Sequence, residues 1–98
     1  MGNIFENEDQ FFRTLRVLRD QREKGADRAG IFGSRAAGSH RPDSDIDIFS
    51  EIEDSSISGI VQTHDGEIHL IETNPDNTGS GADLIRKTTR WLWKRKEE

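Results

Sequence analysis

The sequence contains no cysteine, which excludes a disulfide framework and a thiolate zinc site and makes a reducing compartment the default expectation. Its three histidines show no ligand-like spacing among themselves. Apolar runs are everywhere too short to cross a bilayer, and the N-terminal MGNIFENEDQ has no basic region followed by an apolar run. A cytoplasmic protein without a membrane span is expected, and the opening Met-Gly brings no support for myristoylation. Internal repeats and low-complexity blocks are also missing. A last shortage is local: residues 42–85 hold no lysine or arginine, although eleven carboxylates, among them Asp43, Asp45, Asp47, Glu51, Glu67 and Glu72, fall there. Basic residues gather on either side, from Arg13 to Lys24 and from Arg86 onward. The net charge of -5 therefore conceals either basic helix faces beside an acidic sheet or an acidic centre that calls for a cation.

A chain of 98 residues has room for one small domain, 1–98, with a modest core. Charged residues (34%) outnumber hydrophobic ones (31%), so folding depends on how well the apolar positions are patterned. Residues 6 or 7 to 24 carry Phe11, Leu15, Leu18 and Phe12 at helical spacings, with arginines at 13, 16, 19 and 22 on the polar side and Gly25 as a stop. A short buried strand is expected at 29–32 and a tight turn or one helical turn at 34–39, opened by Ser34. The loop 40–44 contains Pro42, which forbids a continuous helix. Residues 45–52 read as the most secure strand, with Asp45 and Asp47 alternating with Ile46 and Ile48.

Two further apolar runs, 57–63 and 67–73, flank His64-Asp65-Gly66 and predict an antiparallel hairpin. Ile68 and Leu70 should face the core, with Glu67, His69 and Ile71 opposite. After the loop 74–81, Ser80 and Asp83 suggest a cap for a final helix over 82–95, whose apolar stripe would be Leu84, Ile85, Thr88, Trp91 and Leu92. Both terminal helices should pack on the sheet.

The chemistry concentrates in residues 29–52, AGIFGSRAAGSHRPDSDIDIFSEI. A Gly33-Ser34 turn that opens a helix presents backbone N-H groups and the positive end of the helix dipole, a setting that favours phosphate, and glycine lets the anion approach. One loop later Asp45 and Asp47 share one strand face, where a cation would relieve their repulsion. Magnesium typically takes one or two carboxylates together with substrate phosphates, so the turn and the pair describe two halves of one site. The plainer alternative is a solvated acidic strand face.

Gly33-Ser34-Arg35-Ala36-Ala37-Gly38 followed by Ser44-Asp45-Ile46-Asp47-Ile48 resembles the G-S-x-x-x-G, S-D-x-D-L pattern of the DNA polymerase beta-like nucleotidyltransferase superfamily, in particular its minimal, antitoxin-type members. The resemblance is concentrated in residues 30–50. It implies an α/β (α+β) fold, a small mixed β-sheet of three to four strands flanked by N- and C-terminal helices. It also implies ATP or another nucleoside triphosphate bound through Gly33, Ser34, Arg35 and Ser44, and Mg2+ held by Asp45 and Asp47. The implied reaction transfers a nucleoside monophosphate to a hydroxyl of a protein or RNA and releases pyrophosphate. Small proteins of this kind often act as antitoxins beside a HEPN-type toxin, so a protein partner is expected.

The family's third carboxylate would come from the strand Glu67-Ile68-His69-Leu70-Ile71, where His69 stands at the expected position and Glu67 is two residues away. His69 could serve as ligand or base, or be a sheet-face histidine without a role. Arg35 and Arg41 flank the proposed pocket and could equally pair with Asp43 or Glu51. Of Trp91 and Trp93, on different sides of the expected last helix, one should be core and the other an interface anchor. Three readings follow: a nucleotidyltransferase, a catalytically impaired binding module that keeps the fold, and, less favoured, a nucleic-acid binder working through basic helices.

Overall fold

The computed structural model describes residues 5–53, 61–65, 67–79 and 81–94. Helix α1 (Glu8–Glu23) begins where the Asn7 side chain accepts a hydrogen bond from the Gln10 N-H at 2.9 Å, and Glu8 and Asp9 lie in its first turn, where the dipole favours them. It stops at Lys24, and Gly25 at φ 99° turns the chain into β1 (Ala26–Phe32). A one-turn helix α2 (Ser34–Ala37) leads through the 38–45 loop to β2 (Ile46–Ile52). Strands β3 (Val61–Asp65) and β4 (Ile68–Thr73), helix α3 (Ala82–Thr88) and β5 (Arg90–Lys94) complete the order.

The sheet runs β3-β4-β2-β1-β5. Among the described residues only the β2–β4 pair is parallel, with Asp47 opposite His69 and Phe49 opposite Ile71; the other pairs are antiparallel. The expected mixed α+β sheet with helices is thus present, with five strands among the described residues rather than three to four. Alternation along β2 sends Ile46 and Ile48 toward α1, where they pack with Leu18, Ala29, Ile31 and Ile68. Asp47, Phe49 and Glu51 project from the opposite face.

Several expectations are corrected. The residues α1 buries are Gln10, Thr14, Leu18 and Gln21, whereas Phe11, Phe12 and Leu15 are exposed at 40%, 57% and 43%. Buried Gln10 is accommodated because it accepts a hydrogen bond from the Glu6 N-H and donates one to Glu67, so tertiary partners outweigh the apolar stripe. The final helix ends at Thr88, and the residues expected as its second half form β5 beside β1. β-branched Thr88 and Thr89 are poor helix formers at the point where the helix stops, the two tryptophans of β5 suit a strand, and pairing there satisfies an edge of β1 that would otherwise stay open. Leu84, expected in the apolar stripe, is 70% exposed, and the N-cap of α3 is Gly81; Ser80 lies outside the described residues. In the hairpin, β3 continues to Asp65, which pairs with Ile68, so the reversal falls later than expected. Residues 57–60 and Gly66 of that hairpin lie outside the described residues.

A bulge in β5 explains the tryptophans. Ala29 pairs with Trp93 and Gly30 with Trp91, so one step along β1 matches two along β5. Trp93 consequently joins the core on the α1 face, while Trp91 lies on the other face, 5.9 Å from the Phe49 ring and with the Arg28 guanidinium 3.9 Å above it. Gly30 is required at this crossing, because a Cβ there would collide with the Arg90 carbonyl and the Trp91 Cα.

Candidate active site

The sheet face away from α1 collects the residues that carry chemistry. At the end of β1 the chain turns at Gly33 with φ 79°, where an L side chain is strained, and enters α2. A Cβ on Gly33 would collide with the Asp47 carboxylate oxygen Oδ2. The phosphate-type turn and the second aspartate are therefore in van der Waals contact, and only glycine fits between them.

The loop before β2 is fastened from beneath. Arg35 is 1% exposed and donates to the Ser44 carbonyl from Nη2 at 2.6 Å and from Nε at 3.2 Å, and to the Pro42 carbonyl at 3.3 Å. Ser44 closes a tight turn: its N-H donates to the Arg41 carbonyl at 3.0 Å and its Oγ accepts from the Arg41 N-H at 2.9 Å. Arg35 and Ser44, expected at the triphosphate, thus hold the loop that delivers Asp45. Glu51, weighed as a partner for Arg35, instead accepts from Arg28 at 2.6 Å and from Arg86.

Asp45 is exposed just ahead of β2, and Asp47 is half-buried within it. Burial pushes the Asp47 carboxyl above its ordinary value; His69 opposes that shift and the charge of Asp45 adds to it. The parallel register places His69 Nδ1 3.4 Å from Asp47 Oδ1. Glu67 goes elsewhere. It precedes β4 rather than belonging to it, so strand alternation does not apply, and it accepts from Arg13 Nη2 at 2.7 Å and Gln10 Nε2 at 2.9 Å on α1. Those donors hold its carboxyl below the usual range. As an alternative to His69 at the site, Glu67 is spoken for. His40, unweighted in the sequence, meets Glu6 at 3.2 Å.

A nucleotidyltransferase domain model matches residues 13–78, two-thirds of the chain. The chain belongs to the nucleotidyltransferase domain family. A comparison with curated protein sequences gives no significant match. The match spans the Gly33 turn, Asp45, Asp47 and His69, and it ends before α3 and β5. Membership of this family supports nucleotidyl transfer as the general chemistry and points to nucleoside triphosphates as the class of substrate.

Nucleotidyltransferase domains generally use a divalent metal, and the donor set can be tested for its fit. Among the described residues no group of three or more His, Asp or Glu side chains could hold a metal ion by itself. Two carboxylate residues beside an anion-accepting turn nevertheless fit the way magnesium is commonly held, with one or two carboxylates and the remaining positions filled by phosphate oxygens and water. The Asp47 carboxyl is raised first by burial and only secondarily by the charge of Asp45, which a cation between the two would offset. No helix among the described residues is long and apolar enough to cross a membrane.

The sequence missed the aromatic floor of this face. Phe32 and Phe49 meet edge to face at 6.2 Å and Trp91 continues the row. The alternation Asp47, Phe49, Glu51 was a sufficient signal for Phe49, but Trp91 was hidden by reading β5 as a helix. Two clefts, about 520 Å³ between α1 and β4 and about 380 Å³ between α1 and β5, lie on the α1 face, away from Asp47.

Proposed function

We propose that this single small domain is a Mg2+-dependent nucleotidyltransferase that moves a nucleoside monophosphate from ATP or another nucleoside triphosphate to a hydroxyl of a protein or RNA. The observation that carries this is the contact of Gly33 with Asp47, which sets a phosphate-accepting turn directly against a carboxylate pair. Asp45 and Asp47 would hold the magnesium, and the α2 N-H groups at Ser34 would receive phosphate oxygens. When bound, magnesium supplies charge neutralisation for the phosphoryl oxygens.

The residues of the chain supply the rest. The acceptor oxygen bonds to the α-phosphorus, the bond from that phosphorus to the bridging oxygen breaks, and pyrophosphate leaves with the bond electrons. The acceptor proton goes to His69: with Nδ1 directed at Asp47, Nε2 is the nitrogen that takes it, and Asp47 stabilises the imidazolium. A histidine here performs the base function of a third carboxylate without adding a negative charge beside Asp47. A protein partner presents the acceptor, and a HEPN-type toxin is the partner class the family resemblance suggests; cytoplasmic action accords with both.

The second reading is a nucleotidyltransferase-fold module that binds a partner and catalyses nothing. It is favoured by His69 standing where a carboxylate is expected and by the engagement of Glu67 with α1. Incubation with α-labelled nucleoside triphosphates, Mg2+ and candidate protein or RNA acceptors separates the two. Transfer that disappears in Asp45→Asn and Asp47→Asn, and falls by about 10²- to 10⁴-fold in His69→Ala while triphosphate binding persists, supports the enzyme. Partner binding with no transfer, indifferent to all three substitutions, supports the module.

A further inference from the structure

The outward side of α1 has no role in the site or the core, yet it is patterned. Glu8, Phe12, Leu15 and Arg19 follow one another at steps of four, three and four residues, the spacing of a helix-pairing seam. All four are exposed, Phe12 at 57% and Leu15 at 43%, outside the buried row of Gln10, Thr14, Leu18 and Gln21, and Leu15 and Arg19 border the groove between α1 and β5. Leu92, 45% exposed, extends the apolar surface along the groove between α1 and β5. Among the described residues neither Glu8 nor Arg19 has an ion-pair partner.

The order of these residues is self-complementary. If a second α1 lies antiparallel across a two-fold axis between residues 13 and 14, Phe12 meets the partner's Leu15 and Glu8 meets the partner's Arg19, each contact occurring twice. A parallel arrangement would set Glu8 against Glu8 and Arg19 against Arg19, which repel. Pairing β5 edges antiparallel about Leu92 would likewise set Arg90 against Lys94. Charge therefore selects both the element and its direction.

We infer that the exposed face of α1 is the interface of an antiparallel homodimer, with a second copy of this chain as its occupant. A helix of 16 residues is about 24 Å long, so the contact is at the small end of specific interfaces and the dimer dissociates on dilution. The two candidate active sites stay open, since Asp47 is on the other face of the sheet from α1.

The test is sedimentation equilibrium of the full chain over a wide concentration range. The expected result is a mass that rises from one chain to two. Glu8→Arg alone and Arg19→Glu alone each place like charges across the axis and weaken the dimer by about tenfold or more. Mixed in equal amounts, the two variants regain the dimer as a heterodimer: the two introduced side chains, opposite in charge, face each other at one end, and the native Glu8 and Arg19 face each other at the other. Unchanged far-ultraviolet circular dichroism of each variant separates loss of pairing from loss of fold. A wild-type mass of one chain at every concentration overturns the inference, and so does a mixture that stays monomeric; capture of another protein by this face with the chain itself monomeric assigns the surface to a different occupant.

Discussion

Asp47 is asked to do two incompatible things, and its environment shows the conflict. It lies half-buried on the sheet, in contact with Gly33, with a second aspartate two residues earlier. Desolvation raises its carboxyl pKa, so folding favours the protonated form. For a raised acid, the contribution to stability grows as pH falls through the raised folded value and is complete below the ordinary unfolded one. Glu67 has the opposite sign: its lowered carboxyl stabilises above the ordinary glutamate range, and that contribution is lost as pH falls through the lowered value. Asp47→Asn is accordingly expected to melt higher than the wild type at neutral pH, with the difference closing on acidification, while nucleotidyl transfer is lost. Magnesium should raise the melting temperature of the wild type and leave that of the variant unchanged. A variant that melts lower at neutral pH would show that Asp47 is not under strain. Such a trade of stability for function is common at sites that gather like charges.

At the scale of elements, the 38–45 loop matters because it has no regular structure of its own and still fixes where Asp45 sits. Arg35 supplies the order: a planar guanidinium donates from two nitrogens to the Ser44 carbonyl and from one to that of Pro42. A lysine ammonium cannot reproduce that fork. Arg35→Lys should cost about 2–3 kcal/mol in urea unfolding, the penalty for burying an ammonium with poorly met carbonyls, and should weaken triphosphate binding with Asp45 and Asp47 still in place. Normal stability together with normal binding would mean that the loop holds itself. The role of Arg35 was only partly legible. That an arginine follows the Gly-Ser turn is plain in the sequence, but its direction depends on α2 being a single turn packed on β1, which puts position 35 under the loop and not over the pocket. Likewise Glu67 shares parity with His69 on paper, yet β4 begins one residue later and Arg13 draws the side chain to α1.

For the molecule as a whole, β2 is the spine, with chemistry at one end and a charge junction at the other. Glu51, 3% exposed, takes Arg28 from β1 and Arg86 from α3. Arg86 also donates to the carbonyls of Asn74, Pro75 and Asn77, so α3, the 74–79 loop and two strands are tied at one carboxylate. The long loop after β4 is thereby held without a helix packed along it. Removing the charge leaves Arg28 without its carboxylate and Arg86 with Asp83 alone; Glu51→Gln should lower stability by about 3 kcal/mol, read as a shifted urea midpoint with an unchanged slope. An unchanged midpoint would show that Asp83 and the loop carbonyls hold Arg86 without Glu51.

What the sequence determined by itself was local and periodic: the Gly33-Ser34 turn, the alternation that puts Asp45 and Asp47 with one face and Ile46 and Ile48 with the other, the stop at Gly25, and the strand that carries His69. Each follows from backbone sterics or from a repeat of two or 3.6 residues, and these need no knowledge of distant contacts. Only the tertiary structure decided which face of α1 is buried, that residues 90–94 are a strand, which residue faces Asp47 across the β2–β4 pair, and where Arg35, Glu51 and Glu67 find their partners. Most of those outcomes depend on strand order and parallel register, which join residues far apart along the chain. Local propensity is too weak to set them, because the free energy of pairing an open sheet edge or satisfying a buried charge exceeds the small preferences that distinguish one helix face, or a helix from a strand.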